Sequence, residues 1–299
     1  MTDRPTANDF HPEVLRLFDQ YVHGGLSRRG FLDAATRHAG SVAGAAALLA
    51  ALSPQFALAQ QVKPDDARVS SRRVDYPSPQ GTGQVRGLLA VPARPARAGK
   101  LPAVLVVHEN RGLNPYIEDV ARRLALADFI AFAPDALAPL GGYPGDEDKA
   151  RELFPKLDQP KTRQDFLAAA LTLKSLPESN GRVGVVGFCY GGGMANWLAT
   201  QMPDLAAAVP FYGGQAPVAD VPRIKAPLQL HYAGVDERIN TGWPPYEAAL
   251  KAAGVRHEAF FYEGTQHGFH NDTTPRFDRA AAQLAWQRTM AFFETHLRG

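Results

Sequence analysis

Cysteine is almost absent from this 299-residue chain, which contains one such residue, Cys189. A single thiol cannot form an intramolecular disulfide, and no Cys-x-x-Cys, His-x-x-x-His or His-Glu-x-x-His spacing typical of a zinc site occurs. The sequence therefore predicts neither a disulfide framework nor a metal site. A lone thiol is most often a small buried hydrophobic residue, so the meaning of Cys189 depends on its neighbours.

An excess of charge is also lacking, because the formal net charge is only +2 at pH 7. This near-neutral balance gives no reason to expect nucleic acid or an anionic membrane surface as a partner. Hydrophobic residues make up 45% of the chain. This length and composition allow one large core, or one core with a small appendage.

The first sixty residues have the order of features found in an export signal. Ser27–Leu32 (Ser-Arg-Arg-Gly-Phe-Leu) resembles the twin-arginine (Tat) motif, but Asp33 replaces its frequent lysine. Ala39–Leu52 is uncharged and rich in Ala, Gly and Leu. It suits a signal h-region and is too short for a stable membrane span. Ala57–Ala59 offers a small-x-small cleavage pattern that would leave Gln60 as the new N-terminus. These features predict Tat-dependent export to the periplasm or beyond.

An alternative interpretation retains this segment. Apolar residues between His11 and Val22 recur at helical spacing, so residues 1–38 could form a folded helical extension of a cytoplasmic protein. We therefore predict two regions, a signal or helical extension at 1–59 and one domain at 60–299.

Strands and helices alternate along the second region. This pattern predicts a mostly parallel sheet with helices on both faces. Functional residues are then expected on loops at the carboxyl ends of the strands. The expected strands are 69–76, 84–91, 103–107, 129–133, 183–187, 206–212, 227–231 and 257–262, and the main helices are 118–126, 162–176, 191–200 and 280–296.

The passage around Cys189 is the most informative. The apolar strand Val183–Gly187 leads into Gly187-Phe188-Cys189-Tyr190-Gly191, and small residues follow where a helix begins. This is the nucleophile-elbow pattern with Cys in place of Ser. Its glycines allow a strained strand-to-helix turn. The turn exposes the sulfur at a helix N-terminus, which favours the thiolate. The backbone N–H of Tyr190 would be one oxyanion donor.

A thiol nucleophile needs a base, and the base needs an orienting carboxylate. In this kind of fold the chain order is nucleophile, acid, histidine. Asp236 follows a strand end, and His267 lies on the loop after the next strand. His270 is the nearest rival base, whereas His231 lies inside a strand and His257 lies at the wrong strand end.

With these residues in place, the chain resembles the dienelactone hydrolase family of α/β-hydrolases over roughly residues 70–298. The motifs that carry the resemblance are Gly-Phe-Cys-Tyr-Gly-Gly-Gly at 187–193, Gly-x-Asp at 234–236, His-Gly-Phe at 267–269, and Val-Val-His-Glu-Asn-Arg-Gly-Leu-Asn at 106–114. The resemblance implies an α/β-hydrolase fold. It also implies that Glu109 contacts the resting thiol and assists its activation, with the amide of Asn110 as the second oxyanion donor. Some family members have an arginine four residues after the catalytic histidine, where this chain has Asn271.

The resulting hypothesis is an ester or lactone hydrolase with a Cys189-His267-Asp236 triad and an acyl-thioester intermediate. It requires no metal or organic cofactor, and its partner is a small-molecule ester or lactone. Alternatives on the same residues are a thioesterase or acyltransferase, and a thiol-based sensor that binds ligand without turnover.

Overall fold

The computed structural model describes residues 4–298 and contains one eight-stranded sheet. The order across the sheet is β1-β2-β4-β3-β5-β6-β7-β8. The first two strands pair antiparallel and β2 also runs antiparallel to β4, whereas all pairs from β4 to β8 are parallel. The strands are β1 (Val69–Ser78), β2 (Gly83–Pro92), β3 (Leu101–Val107), β4 (Ile130–Pro134), β5 (Ser179–Phe188), β6 (Ala207–Phe211), β7 (Leu228–Val235) and β8 (His257–Gln266).

Helices cover both faces of this sheet, and four more precede it. They are α1 (Pro12–Val22), α2 (Arg28–Ala39), α3 (Val42–Leu52), α4 (Phe56–Ala59), α5 (Pro115–Leu126), α6 (Glu147–Leu153), α7 (Gln159–Ser175), α8 (Tyr190–Gln201), α9 (Glu237–Asn240), α10 (Trp243–Ala252) and α11 (Arg279–Leu297). The α/β-hydrolase architecture predicted from the sequence is confirmed. All eight strands were expected, but the helices α6, α9 and α10 were not.

The buried central strand β3 explains why helices are needed on both faces. All seven of its residues are buried. Leu105 and its alternate neighbours join the core formed with α7 and α8, while Val104 and Val106 join the core formed with α5 and α11. Successive side chains of a strand point to opposite faces, so a continuous apolar strand requires a helix layer on each side.

The N-terminal region forms helices with a core of their own. Phe18 and Phe31 are almost completely buried in it, together with apolar residues of α3 such as Leu49. This small core sits against the sheet domain, where the backbone N–H of Gln55 donates to the carbonyl oxygen of Thr273 at 2.8 Å. The first three residues of the predicted 1–59 region, and the last residue of the predicted 60–299 domain, lie outside the described residues.

Val42–Ala59 is long and apolar enough, by length and composition, to cross a membrane. Its mean hydropathy is 1.7, and only 17% of it is buried. The shorter run Ala39–Leu52 had suggested a segment too short to span. A signal sequence near the N-terminus satisfies the same criteria of length and composition.

The turn between β5 and α8 depends on two glycines. A Cβ atom at Gly187 would lie 1.9 Å from the carbonyl oxygen of Gly191, and one at Gly191 would lie 2.2 Å from that of Val107. Between them Cys189 has φ 55° and ψ −110°, a conformation that L residues rarely adopt. The backbone N–H of Cys189 donates to the carbonyl oxygen of Phe211 at 3.0 Å and ties the turn to β6.

We expect Gly187→Ala to lower the free energy of unfolding by about 1–3 kcal/mol or more, because the added methyl group overlaps fixed backbone. Gly193→Ala is the matched control, since among residues 4–298 its Cβ would meet no neighbouring atom closer than 3.6 Å. In the control the free energy of unfolding should be unchanged or rise by up to about 1 kcal/mol. Denaturant unfolding measures both, and equal stabilities would show that the elbow does not require a glycine.

Candidate active site

The elbow places the Cys189 sulfur beside a histidine at the carboxyl ends of the parallel strands. His267 Nδ1 lies 2.5 Å from Asp236 Oδ2, and both side chains are buried. His267 Nε2 is buried and has no hydrogen-bond partner among the described residues. The thiol and imidazole ligand atoms lie within 4.8 Å of each other. The structure therefore brings together the three residues that the sequence predicts as nucleophile, base and acid.

The electrostatics favour an ion pair between Cys189 and His267. Burial alone would raise the pKa of the thiol, but the imidazoles of His267 and His23 outweigh it and lower that pKa well below its usual value. Burial likewise disfavours a charged imidazole, but the thiolate and the Asp236 carboxylate raise the pKa of His267 to about 10. The thiolate also lies at the N-terminus of α8, where the helix dipole stabilises negative charge.

Glu109 lies in the same small cavity as Cys189, His267 and Asn271. Its Oε2 accepts a hydrogen bond of 2.8 Å from Asn271 Nδ2, and among the described residues it makes none to the thiol. Burial and the nearby thiolate raise the pKa of Glu109 to about 7, although Arg276 opposes this shift. Direct contact between Glu109 and the thiol stays a prediction. The side chain at position 271 has a partner that the sequence did not reveal.

The two expected oxyanion donors flank the thiol. Tyr190 is the first residue of α8, so its N–H has no acceptor within the helix. Asn110 follows β3, and in residues 4–298 its backbone N–H has no hydrogen-bond acceptor. The side chain of Asn110 donates to the carbonyl oxygen of Val22 at 2.8 Å, which fixes the loop. Both amides are therefore available to an incoming carbonyl oxygen.

The other histidines considered as the base contact other residues or lie at the opposite end of a strand. His270 Nδ1 is 2.7 Å from the Tyr116 hydroxyl, and its ring stacks on Phe188. His231 is buried in β7, where its Nδ1 is 2.8 Å from the Tyr262 hydroxyl. His257 is at the start of β8, at the opposite end of the strand from the loop that carries His267.

A second histidine at the thiol escaped the sequence analysis. His23 follows α1, and its Nε2 is 3.5 Å from Cys189 Sγ. Its Nδ1 is 2.8 Å from the carbonyl oxygen of Asp19 and 3.2 Å from Asp19 Oδ1. Asp19 and His23 are four residues apart on one helix, a spacing that places them on the same face. That spacing was the only signal in the sequence, and it does not indicate which surface the face contacts.

His23, Cys189 and His267 are also, within residues 4–298, the one group of three His, Cys or acidic side chains close enough to surround a metal ion. Because the group consists of the nucleophile, its base and an imidazole in contact with both, proton transfer accounts for it. The described residues contain no other arrangement that indicates a cofactor.

Two cavities meet at the thiol. The larger, about 420 Å³, is lined by His23 and Cys189 and extends past Tyr190, Tyr212 and Trp197. The smaller, about 60 Å³, contains His267 and Glu109 together with His23 and Cys189. The aromatic side chains of Tyr190 and Tyr212 line the larger cavity. Tyr116, Tyr143, Trp243 and Phe269 lie outside its lining.

Comparisons with known proteins match both regions of the chain. The model of the dienelactone hydrolase family matches residues 85–297. A second family model, described as YqhI-like, matches residues 1–40, which contain both His23 and the twin arginines.

Individual relatives cover most of the sheet domain. A protein of Escherichia coli K12 named "Putative carboxymethylenebutenolidase" is 32% identical over 249 residues, which is 78% of this chain and 89% of the relative. The "Putative hydrolase fragment YghX" of the same organism is 57% identical over 114 residues, 38% of this chain and 96% of the fragment. The crystal structure of a "Putative Dienelactone Hydrolase" from Klebsiella pneumoniae superposes with a TM-score of 0.65 at 25% identity, covering 75% of this chain and 98% of that one.

The lowered pKa of Cys189 predicts that the rate of its alkylation depends only weakly on pH. Iodoacetamide attacks the thiolate, so the rate should stay nearly constant as the pH falls from 9 to about 6. An ordinary thiol, with a pKa of about 8.5, loses about tenfold per pH unit in the acidic part of this range. Because the chain has one cysteine, intact mass reports the label directly, and the protein unfolded in guanidinium is the control. A folded protein that follows the control profile would exclude the ion pair.

Proposed function

Since the chain belongs to the dienelactone hydrolase family, and is thus a hydrolase of esters or lactones, we propose that it acts through a covalent acyl-thioester on Cys189. The observation that carries this proposal is an imidazole, that of His267, within 4.8 Å of the thiol, measured between their ligand atoms. Asp236 holds its Nδ1, and its buried Nε2 has no hydrogen-bond partner among the described residues. This is the arrangement of a nucleophile, its base and the group that orients the base.

Acylation begins when His267 draws the proton from Cys189. The thiolate attacks the carbonyl carbon of the ester or lactone, and the electron pair of the carbonyl bond moves to oxygen. The backbone amides of Tyr190 and Asn110 donate hydrogen bonds to this oxyanion. Collapse of the tetrahedral intermediate breaks the bond to the alkoxide, which takes the proton from His267 and leaves as the alcohol, so that His267 is again a base.

Deacylation consumes water. His267 removes a proton from a water molecule, whose oxygen attacks the thioester carbonyl carbon. The bond to Cys189 Sγ then breaks, the acid leaves, and the proton on His267 returns to the sulfur. Because the base and the oxyanion donors serve both halves of the reaction, one set of groups is sufficient.

Glu109 is proposed to sense the substrate. Its raised pKa means that it changes charge near neutral pH, and it lines the small cavity beside the thiol. A substrate that displaces solvent from this cavity would alter the balance between Glu109 and the thiolate. This deepens the role that the family resemblance implies for Glu109, which is to assist activation of the resting thiol.

The substrate class rests on the relatives and on the larger cavity. The name of the Escherichia coli K12 relative points to a lactone of the carboxymethylenebutenolide type. In this chain Asn271 takes the place of an arginine and is engaged by Glu109, so we assign the broader class of small esters and lactones. Membership of a hydrolase family favours turnover over the sensor alternative, and transfer to an acceptor other than water stays an alternative outcome.

We expect Cys189→Ala to abolish the hydrolysis of small aryl esters and lactones, with a loss of at least about 10⁴-fold in kcat, because the nucleophile is removed. The loss is measured by monitoring product release through its absorbance. Thermal unfolding of the variant checks that it is folded. Hydrolysis at the rate of the unsubstituted protein would overturn the assignment of Cys189.

Export by the Tat machinery stays a prediction, with cleavage after Ala59 and retention of the segment as its two outcomes. The contacts of α1 with the catalytic loop favour retention of this segment in the active form. We therefore expect the active protein purified from its native cells to keep an N-terminus upstream of His23, as measured by mass spectrometry. A fully active protein that starts at Gln60 would contradict retention and support the signal.

A further inference from the structure

The thiol of Cys189 faces two histidines that are built alike. Each has a carboxylate at Nδ1, namely Asp236 for His267 and Asp19 for His23. The carboxylate holds Nδ1 of each ring and leaves Nε2 as the nitrogen that can exchange a proton with the site. His23 Nε2 lies 3.5 Å from the sulfur. The two rings meet edge to face with centroids 4.7 Å apart. The active site thus contains two His-Asp pairs, of which the triad of the proposed function uses one.

The second pair is fixed in place by contacts of α1 with the sheet domain. The carbonyl oxygen of Val22 accepts hydrogen bonds from the side chains of Asn110, at 2.8 Å, and Arg111, at 2.9 Å. Because Asn110 belongs to the loop that carries the oxyanion donor, the position of His23 is coupled to that of the catalytic loop. His23 is therefore anchored by the residue immediately before it.

Further contacts hold the helix on both sides of His23. Arg28, one of the two twin arginines, pairs with Asp148 at 2.7 Å. The Tyr21 hydroxyl donates to the same carboxylate, and Asp19 pairs with Arg276 at 3.4 Å. This set of contacts buries the helix end at the mouth of the active site.

The cavities separate the roles of the two histidines. His23 lines the larger cavity, which has room for a substrate, whereas His267 lines only the smaller one. A volume of about 60 Å³ has room for a few water molecules. A leaving group in the larger cavity would therefore meet His23, and the hydrolytic water would meet His267.

We propose that His23, oriented by Asp19, is a catalytic residue that protonates the leaving alkoxide, while His267 activates the water. This rests on the proposed function. This assignment changes one step of the proposed function: in acylation the Cys189 proton passes to His23 Nε2, which is 3.5 Å from the sulfur, rather than to His267. The sulfur bonds to the carbonyl carbon, and the carbon–alkoxide bond breaks. The alkoxide takes the proton from His23 and leaves as the alcohol. In deacylation His267 takes a proton from water and returns it to the sulfur, which regenerates the thiol.

The surroundings of His23 suit a proton carrier. Burial disfavours its charged form, but the Cys189 thiolate and Asp19 outweigh burial and raise the pKa of His23. Two other groups face it. His267 opposes the charge. The exposed side chain of Arg238 places Nη2 at 3.2 Å from His23 Nε2, and because a guanidinium can only donate, this side chain must turn away when His23 Nε2 carries its proton. A raised pKa keeps the proton on His23 at neutral pH until an alkoxide, a much stronger base, takes it.

The test compares leaving groups in the full-length protein. Alkyl esters leave as strongly basic alkoxides and need an acid, whereas 4-nitrophenyl esters leave as a weak base and need little help. His23→Ala and His23→Gln should lower kcat/KM at least about 100-fold for an alkyl ester. They should lower it less than about 10-fold for the matched 4-nitrophenyl ester. His23→Gln keeps a polar side chain of similar reach, so a defect shared by both variants is not a loss of packing.

Two further variants sharpen the result. Asp19→Asn, a change at a positioning residue, should show the same leaving-group bias to a smaller extent. His38→Ala, at an exposed histidine of α2 outside both cavities, should leave both substrates unaffected. Equal losses for the two esters, or none, would overturn the role of His23. That failure is distinct from failure of the proposed function, in which Cys189→Ala would retain activity.

Discussion

The contact between the backbones at Gly187 and Gly191 is the constraint on which the active site depends. No side chain fits between these two residues, and only without side chains can β5 turn directly into α8. The turn forces Cys189 into a strained conformation at the helix N-terminus. Strain at this position has a use, since it holds the sulfur clear of the sheet and beside the loops that follow β3, β7 and β8.

A cluster of charges then compensates for the burial of a thiolate. An isolated thiolate in an apolar site would be costly, and burial does oppose it here. The two imidazoles reverse the balance, and each is supported by its own carboxylate. Since every member of the cluster stabilises a neighbour, the loss of one group should affect the others. The proton positions in this site are therefore a property of the whole cluster rather than of single residues.

The sheet domain was readable from the sequence because its signals are local. Cys189 lies between glycines after an apolar strand, and Asp236 and His267 follow strand ends in the expected chain order. His23 had no such signal. It is 166 residues away from Cys189 in the chain, and only the docking of α1 brings it to the thiol. Asn271 was noted as a departure from the family, but its hydrogen bond to Glu109 depends on the packing of two loops.

The N-terminal segment allowed two interpretations because its local sequence pattern does not reveal its contacts with distant residues. Twin arginines, an apolar run and small residues satisfy the pattern of a signal, and the same residues form helices with a shared core. Arg28 shows the ambiguity well, because the residue that would mark the export motif also forms an ion pair with Asp148. A pattern over about thirty residues shows only their composition and spacing. Whether the helices they form pack on the sheet domain depends on residues far away in the chain.

The covalent intermediate on Cys189 is the central claim, and its capture is the most direct measurement. The protein is mixed with an ester in excess, quenched in acid within its first turnovers, and analysed by intact mass and peptide mapping. The account predicts one acyl group per chain, attached to the peptide that contains Cys189 and lost on incubation at neutral pH. Continued turnover with no adduct, or an adduct on any other residue, would contradict it.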